Sequence, residues 1–63
     1  MNKVRIEIWV DTEHLRAFPH VPITSIKREE GNLLTFMYGD DEKNRHIVVN
    51  LNNIYFYEVM DED

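Results

Sequence analysis

The chain has no cysteine. Disulfides and thiolate metal sites are therefore excluded. A 63-residue domain buries only about 60% of its unfolded surface. Without covalent staples it must rely on efficient packing or on association. Serine is almost as scarce, and the single Ser25 sits within a β-prone run with no nucleophile-elbow context, so nucleophilic catalysis has no prepared residue. The two glycines form no phosphate-cradling loop. Basic residues number seven against twelve acidic ones, for a net charge of −5. Nonspecific nucleic-acid binding, which rests on Lys and Arg neutralising phosphates, is disfavoured, and so is an anionic membrane surface. No run reaches transmembrane length, and the N-terminus lacks an apolar signal region. A cytoplasmic location is the default expectation.

What is present is a β-prone chain with an apolar share of 43%, including one Trp, three Tyr and three Phe. The longest β-prone run is Ile47 to Val59, interrupted once by Asn52-Asn53. Asparagine tolerates the left-handed backbone of a two-residue hairpin turn. Closing a turn there sets Leu51 opposite Ile54 and Val49 opposite Phe56 on one face. Tyr55 and Tyr57 then share the other face with Asn50 and Val48. Both faces carry apolar groups, and a lone hairpin covers neither.

Toward the N-terminus, residues 4–10 alternate cleanly. Val4, Ile6, Ile8 and Val10 share one face, and Arg5, Glu7 and Trp9 the other, which predicts a half-buried strand. Trp9 reads either as an interface anchor or as a cover for a sheet edge. Residues 12–18 fit a short helix capped by Asp11 or Thr12 and stopped by Pro19, or a second strand, which is favoured. Pro19 to Pro22 reads as an extended connector, because proline cannot donate to a ladder.

Ile23–Glu29 and Leu33–Tyr38 predict two further strands. Glu30-Gly31-Asn32 joins them as a three-residue loop, or Gly31-Asn32 as a two-residue turn with the register shifted by one. Residues 45–51 and 54–60 complete the set. The fold expected is all-β: a small antiparallel meander of five or six strands over residues 1–60, forming a curled sheet or small barrel. Residues 61–63 form a frayed acidic tail. In up-and-down order, Asp40, Asp41 and Glu42 gather with Asp61, Glu62 and Asp63 at one pole.

That pole suits a basic protein surface, and it lacks the loop spacing of a calcium site. His14, His20 and His46 match no compact zinc pattern, so no metal or cofactor is expected. Glu13, His14 and Asp11 are the only candidates for acid–base work, as in a small hydrolase or nuclease. Adjacency in sequence does not make them converge, and a non-enzymatic protein is expected. Candidate interface residues are Trp9, Tyr55 and Tyr57, since aromatics are enriched at interfaces, together with Asp40, Asp41 and Glu42. A protein partner and a homo-oligomer, dimer or higher, are expected; an alternative function is that the homo-oligomer holds a nucleotide-like ligand between subunits near Arg45 and Tyr57.

The segments Gly31–Tyr38 and Val48–Val59 resemble the closing strands of small SH3-like or Sm-like barrels. The same half of the chain is also similar, in a generic way, to the short acidic all-β accessory proteins of bacteriophages and prophages. The second resemblance implies a protein that binds and inhibits a host nucleic-acid-binding or defence protein in the host cytoplasm. No Sm-type RNA-binding motif is present, and no functional residue is carried over from either resemblance.

Overall fold

The computed structural model describes residues 3–39 and 43–62. Six strands form: β1 (Lys3–Trp9), β2 (Leu15–Pro22), β3 (Lys27–Glu29), β4 (Leu33–Gly39), β5 (Asn44–Asn50) and β6 (Phe56–Asp61). Short 3-10 turns at Ile23–Ser25 and Leu51–Asn53 separate β2 from β3 and β5 from β6. The strands build two three-stranded antiparallel sheets, ordered β2-β1-β6 and β3-β4-β5. The fold is all-β, and the barrel is not closed. No helix among the described residues is long and apolar enough to cross a membrane.

The alternation of β1 buries Val4, Ile6 and Ile8 and leaves Arg5, Glu7 and Trp9 half-buried on the other side. Its connection to β2 is a turn and not a capped helix. The Asp11 carboxylate accepts from the backbone N–H groups of Glu13 and His14 at 2.8 and 2.9 Å. The Val10 N–H donates to the His14 carbonyl at 2.9 Å. These local bonds satisfy the donors that a helix start would need.

Strand β2 continues through the segment expected to be a connector. Val4 faces Val21 and Ile6 faces Phe18, so Pro19 and His20 together oppose Arg5. This is a β-bulge, with His20 at φ 61°. The bulge brings Phe18 and Val21, three residues apart, onto one buried face. It also sits on an edge strand, where a proline costs no ladder bond.

The strand expected over Ile23–Glu29 survives only as Lys27–Glu29. Ahead of it the 3-10 turn carries Ser25, whose hydroxyl donates to the Pro22 carbonyl at 2.7 Å and accepts from the Met37 N–H at 3.1 Å. A side chain thus replaces the backbone partner that β4 loses there. Between β3 and β4 the register is that of the three-residue loop: Lys27 faces Thr35 and Glu29 faces Leu33.

The largest correction concerns β5 and β6. They form no hairpin: β5 pairs with β4 and β6 with β1. Asn50 accepts from the Asn52 N–H and so caps the 3-10 turn. The Leu51 N–H donates to the Asn32 carbonyl at 2.9 Å, and the Tyr55 N–H to the Trp9 carbonyl at 2.8 Å. The chain therefore leaves one sheet and enters the other. The physical gain is that β1 acquires a partner on each side, and neither face of β6 has to be covered by β5.

The core is Val4, Ile6, Ile8, Phe18, Val21, Leu34 and Phe36, ringed by half-buried side chains that include Ile47, Val49 and Tyr57. Phe18 joins the sheets. Its ring meets Phe36 edge-on at 5.3 Å and Tyr38 at 5.0 Å, in the T-shaped geometry that aromatic quadrupoles favour.

A side-chain network pins the β3–β4 turn to the second 3-10 turn. Arg28 donates to the Asn32 side-chain oxygen, and the Asn32 amide donates to Asn52, both at 2.9 Å. Asn32 holds φ 62°. Asn32→Val should cost about 1–2 kcal/mol, because a β-branched residue resists the left-handed region. Asn32→Gly, which fits that backbone but loses both bonds, should cost less. Urea midpoints compare the two; equal losses would show that the backbone conformation does not control this turn.

Candidate functional site

Because β1 is central in its sheet, its exit residue has a neighbour on each side. Trp9 faces Leu15 on β2 and Phe56 on β6, so these three side chains form one row on the outer face. The Trp9 and Phe56 rings stack at 5.8 Å with 12° between planes, and Tyr55 meets Phe56 edge-on at 5.5 Å. Tyr55 is 62% exposed, Phe56 41% and Leu15 40%. Trp9 thus occupies the centre of an apolar row that remains open to solvent. Exposed aromatics gathered in this way mark interaction surfaces.

The surroundings of the row are acidic. The next row down carries Glu7 opposite Glu58, with Glu7 paired to Arg5 at 2.9 Å. Beyond Trp9 lies the turn with Asp11 and Glu13. The Glu13 N–H, followed by the His14 side chain, holds the Asp11 carboxyl below its usual range, so this end carries fixed negative charge at neutral pH.

Other candidates are placed differently. Phe56, expected to share a covered face with Val49, belongs to the exposed row. Tyr57 lies on the opposite face of β6 from Phe56, half-buried, and accepts a 3.4 Å hydrogen bond from Arg28. Tyr55 and Tyr57 therefore do not form one patch. Arg45 faces Tyr38 near the far end of β4, whereas Arg28, the partner of Tyr57, faces Leu34. Within one chain Arg45 and Tyr57 therefore have different neighbours. Asp40, Asp41 and Glu42 lie outside the described residues. The segment expected to be a frayed tail is ordered as far as Glu62: Asp61 continues β6 opposite Val4, and Glu62 binds His20.

The acid–base candidates are occupied locally. His14 Nδ1 lies 2.8 Å from Asp11, both exposed. Glu13 enters this turn through its backbone N–H, and both hydrogen-bonding roles of the Ser25 hydroxyl are used within the fold. His20 sits in the bulge and His46 faces Met37 on β5, so the three histidines occupy separate places.

Arg45 instead lines an open cleft of about 610 Å³ with Lys3, Pro19, His20, Tyr38, Gly39 and Lys43. Sequence reasoning missed this grouping, and it missed Leu15 and Phe56 as neighbours of Trp9. Nothing in the spacing signalled the cleft. Compared with protein-family models, with characterised proteins and with solved structures, the chain matches none.

Proposed function

We propose that this chain is a non-enzymatic interaction protein that docks a protein partner on the row Leu15–Trp9–Phe56–Tyr55. The observation that carries this reading is the row itself: two strand registers set Leu15 and Phe56 beside Trp9, Tyr55 packs edge-on against Phe56, and Leu15, Phe56 and Tyr55 are exposed around the half-buried Trp9. Trp and Tyr dominate binding energy at protein interfaces. Carboxylates border the row, and the chain carries a net −5. A basic partner is therefore favoured, because complementary fields speed encounter and exclude acidic competitors. A nucleic-acid-binding or defence protein of a host cell has that chemistry. This agrees with the resemblance to acidic phage accessory proteins and with a cytoplasmic setting.

Self-association is the second reading. Val48 is 55% exposed and Val59 46%, on β5 and β6, each an edge strand of its sheet. Light scattering at micromolar concentration separates a monomer from a dimer.

The main reading is tested by capture from the native host on immobilised protein. Tyr55→Ala combined with Phe56→Ala should weaken the captured complex by about 30-fold or more and leave the fold intact by circular dichroism. Reversing Asp40, Asp41 and Glu42 to lysine should weaken it further at low salt. Capture that is indifferent to both sets of changes would remove the proposal.

A further inference from the structure

We propose that the aromatic row seats an arginine side chain of the protein partner, its guanidinium lying against the exposed rings and its donor fork turned to Glu58. This rests on the reading of the row as a docking site and names the group that docks there. The two registers of β1 set the outer face of its sheet. Trp9 lies between Leu15 and Phe56, and the next outward row places Glu7 between Ala17 and Glu58. Side chains two apart on a strand share a face and lie about 7 Å apart. Glu58 is therefore the outward neighbour of Phe56 along β6 and a diagonal neighbour of Trp9 across the ladder.

Glu58 runs against the rule of strand pairing. Like charges directly opposite one another destabilise a ladder, and Glu58 faces Glu7. Arg5 stands one row further along, opposite Met60, and its Nε is 2.9 Å from Glu7. The ion pairs among the described residues are Arg5–Glu7, His14–Asp11 and His20–Glu62. Glu58 takes part in none of them, and it is exposed. Two carboxylates and one guanidinium leave this part of the face with one negative charge in excess. A residue at odds with its local surroundings is expected where function, not folding, selects it.

A cation is the chemistry that both neighbours attract. Aromatic rings draw it through their quadrupole, and Glu58 draws it by charge. Phe56 and Tyr55 are the exposed rings, and Trp9 holds Phe56 in place by stacking on it. Arginine suits this pairing better than lysine. Its guanidinium is planar and weakly hydrated, so one face rests on a ring while an edge donates two parallel hydrogen bonds to a carboxylate. The ammonium of lysine is a compact, strongly hydrated charge without that fork.

Calorimetric titration of the intact chain at low ionic strength with hexa-arginine and with hexalysine tests the proposal. The two peptides carry equal charge, so the long-range field acts on both alike, and their difference reads the guanidinium. Hexa-arginine should bind about three- to fivefold more tightly. Glu58→Gln should bring the two affinities close to parity, and so should Tyr55→Ala combined with Phe56→Ala. Glu29→Gln, the same change of charge on exposed β3 of the other sheet, should preserve the difference. Because it removes the opposed charges, Glu58→Gln should also raise the thermal midpoint of the free chain by about 1–5 °C. A midpoint that does not rise would mean that Glu58 costs the ladder nothing, and would overturn the proposal. Binding of neither peptide, or an arginine preference that survives Glu58→Gln, would overturn it as well. Equal affinities of the parent chain for the two peptides would overturn the arginine assignment alone. The docking row would then still stand, because it is judged by capture with Tyr55 and Phe56 changed and needs no guanidinium.

Discussion

Phe36→Ala should unfold the protein at room temperature or bring it to the edge of unfolding. Phe36 is fully buried on the central strand of its sheet, and its ring packs edge-on against Phe18 of the other sheet. Truncating a buried Phe to Ala typically costs about 3–5 kcal/mol through lost transfer energy and an uncollapsed cavity. At about 0.05–0.15 kcal/mol per residue, a domain of 63 residues has about 3–9 kcal/mol in total. The substitution thus removes a third or more of the stability, with no disulfide to limit the loss. Val48→Ala is the matched control: Val48 is 55% exposed, and its loss should stay within about 0.5 kcal/mol. Urea titration followed by near-ultraviolet circular dichroism compares them. A cooperative transition within 1 kcal/mol of the parent for Phe36→Ala would place the core elsewhere.

The same residue shows what was legible in the sequence. Leu34, Phe36 and Tyr38 alternate with Leu33, Thr35 and Met37, and β1 alternates more clearly, so both central strands follow from period two; the buried face follows for β1, whereas in β4 Thr35 is buried along with Leu34 and Phe36. The pairing of strands does not. A period-two pattern says that a segment is a strand and which side it buries, but not which neighbour completes its hydrogen bonds. For the run from Ile47 to Val59, apolar residues on both faces suited a local hairpin and a crossover equally. The asparagines misled for a physical reason. Their residue type predicts a left-handed turn, but among the described residues the positive φ values fall at His20, Asn32, Gly31 and Gly39. Asn50 and Asn52 instead use their side chains to cap and tether the 3-10 turn. Trp9 and Tyr55 were legible one at a time as interface candidates. Their meeting through Phe56 depends on the β1–β6 register, and the cleft depends on four segments converging, so neither leaves a trace in local spacing.

Cysteines at Glu7 and Glu58 should form a disulfide under mild air oxidation and stabilise the chain by about 4 kcal/mol relative to its own reduced form. Glu7 and Glu58 are Cα partners in the β1–β6 ladder. Opposed residues of an antiparallel pair lie about 4.5–5.5 Å apart, within the span of a disulfide. The closed loop runs through nearly the whole chain, and chain-entropy arguments give long loops the larger effect. At about 4–8 °C per kcal/mol for a domain of this size, the oxidised form should melt some 15–30 °C above the reduced one. Using the reduced double variant as reference cancels the lost Arg5–Glu7 pair. The chain has no other cysteine, so thiol counting reports the crosslink without ambiguity. Cysteines at Val49 and Phe56 provide the opposing test. A local hairpin would set them face to face, but here they lie in different sheets and should stay reduced under the same conditions. If the second pair crosslinks and the first does not, β6 folds back on β5. Trp9 then loses Phe56 as its neighbour, and the docking row proposed here no longer exists.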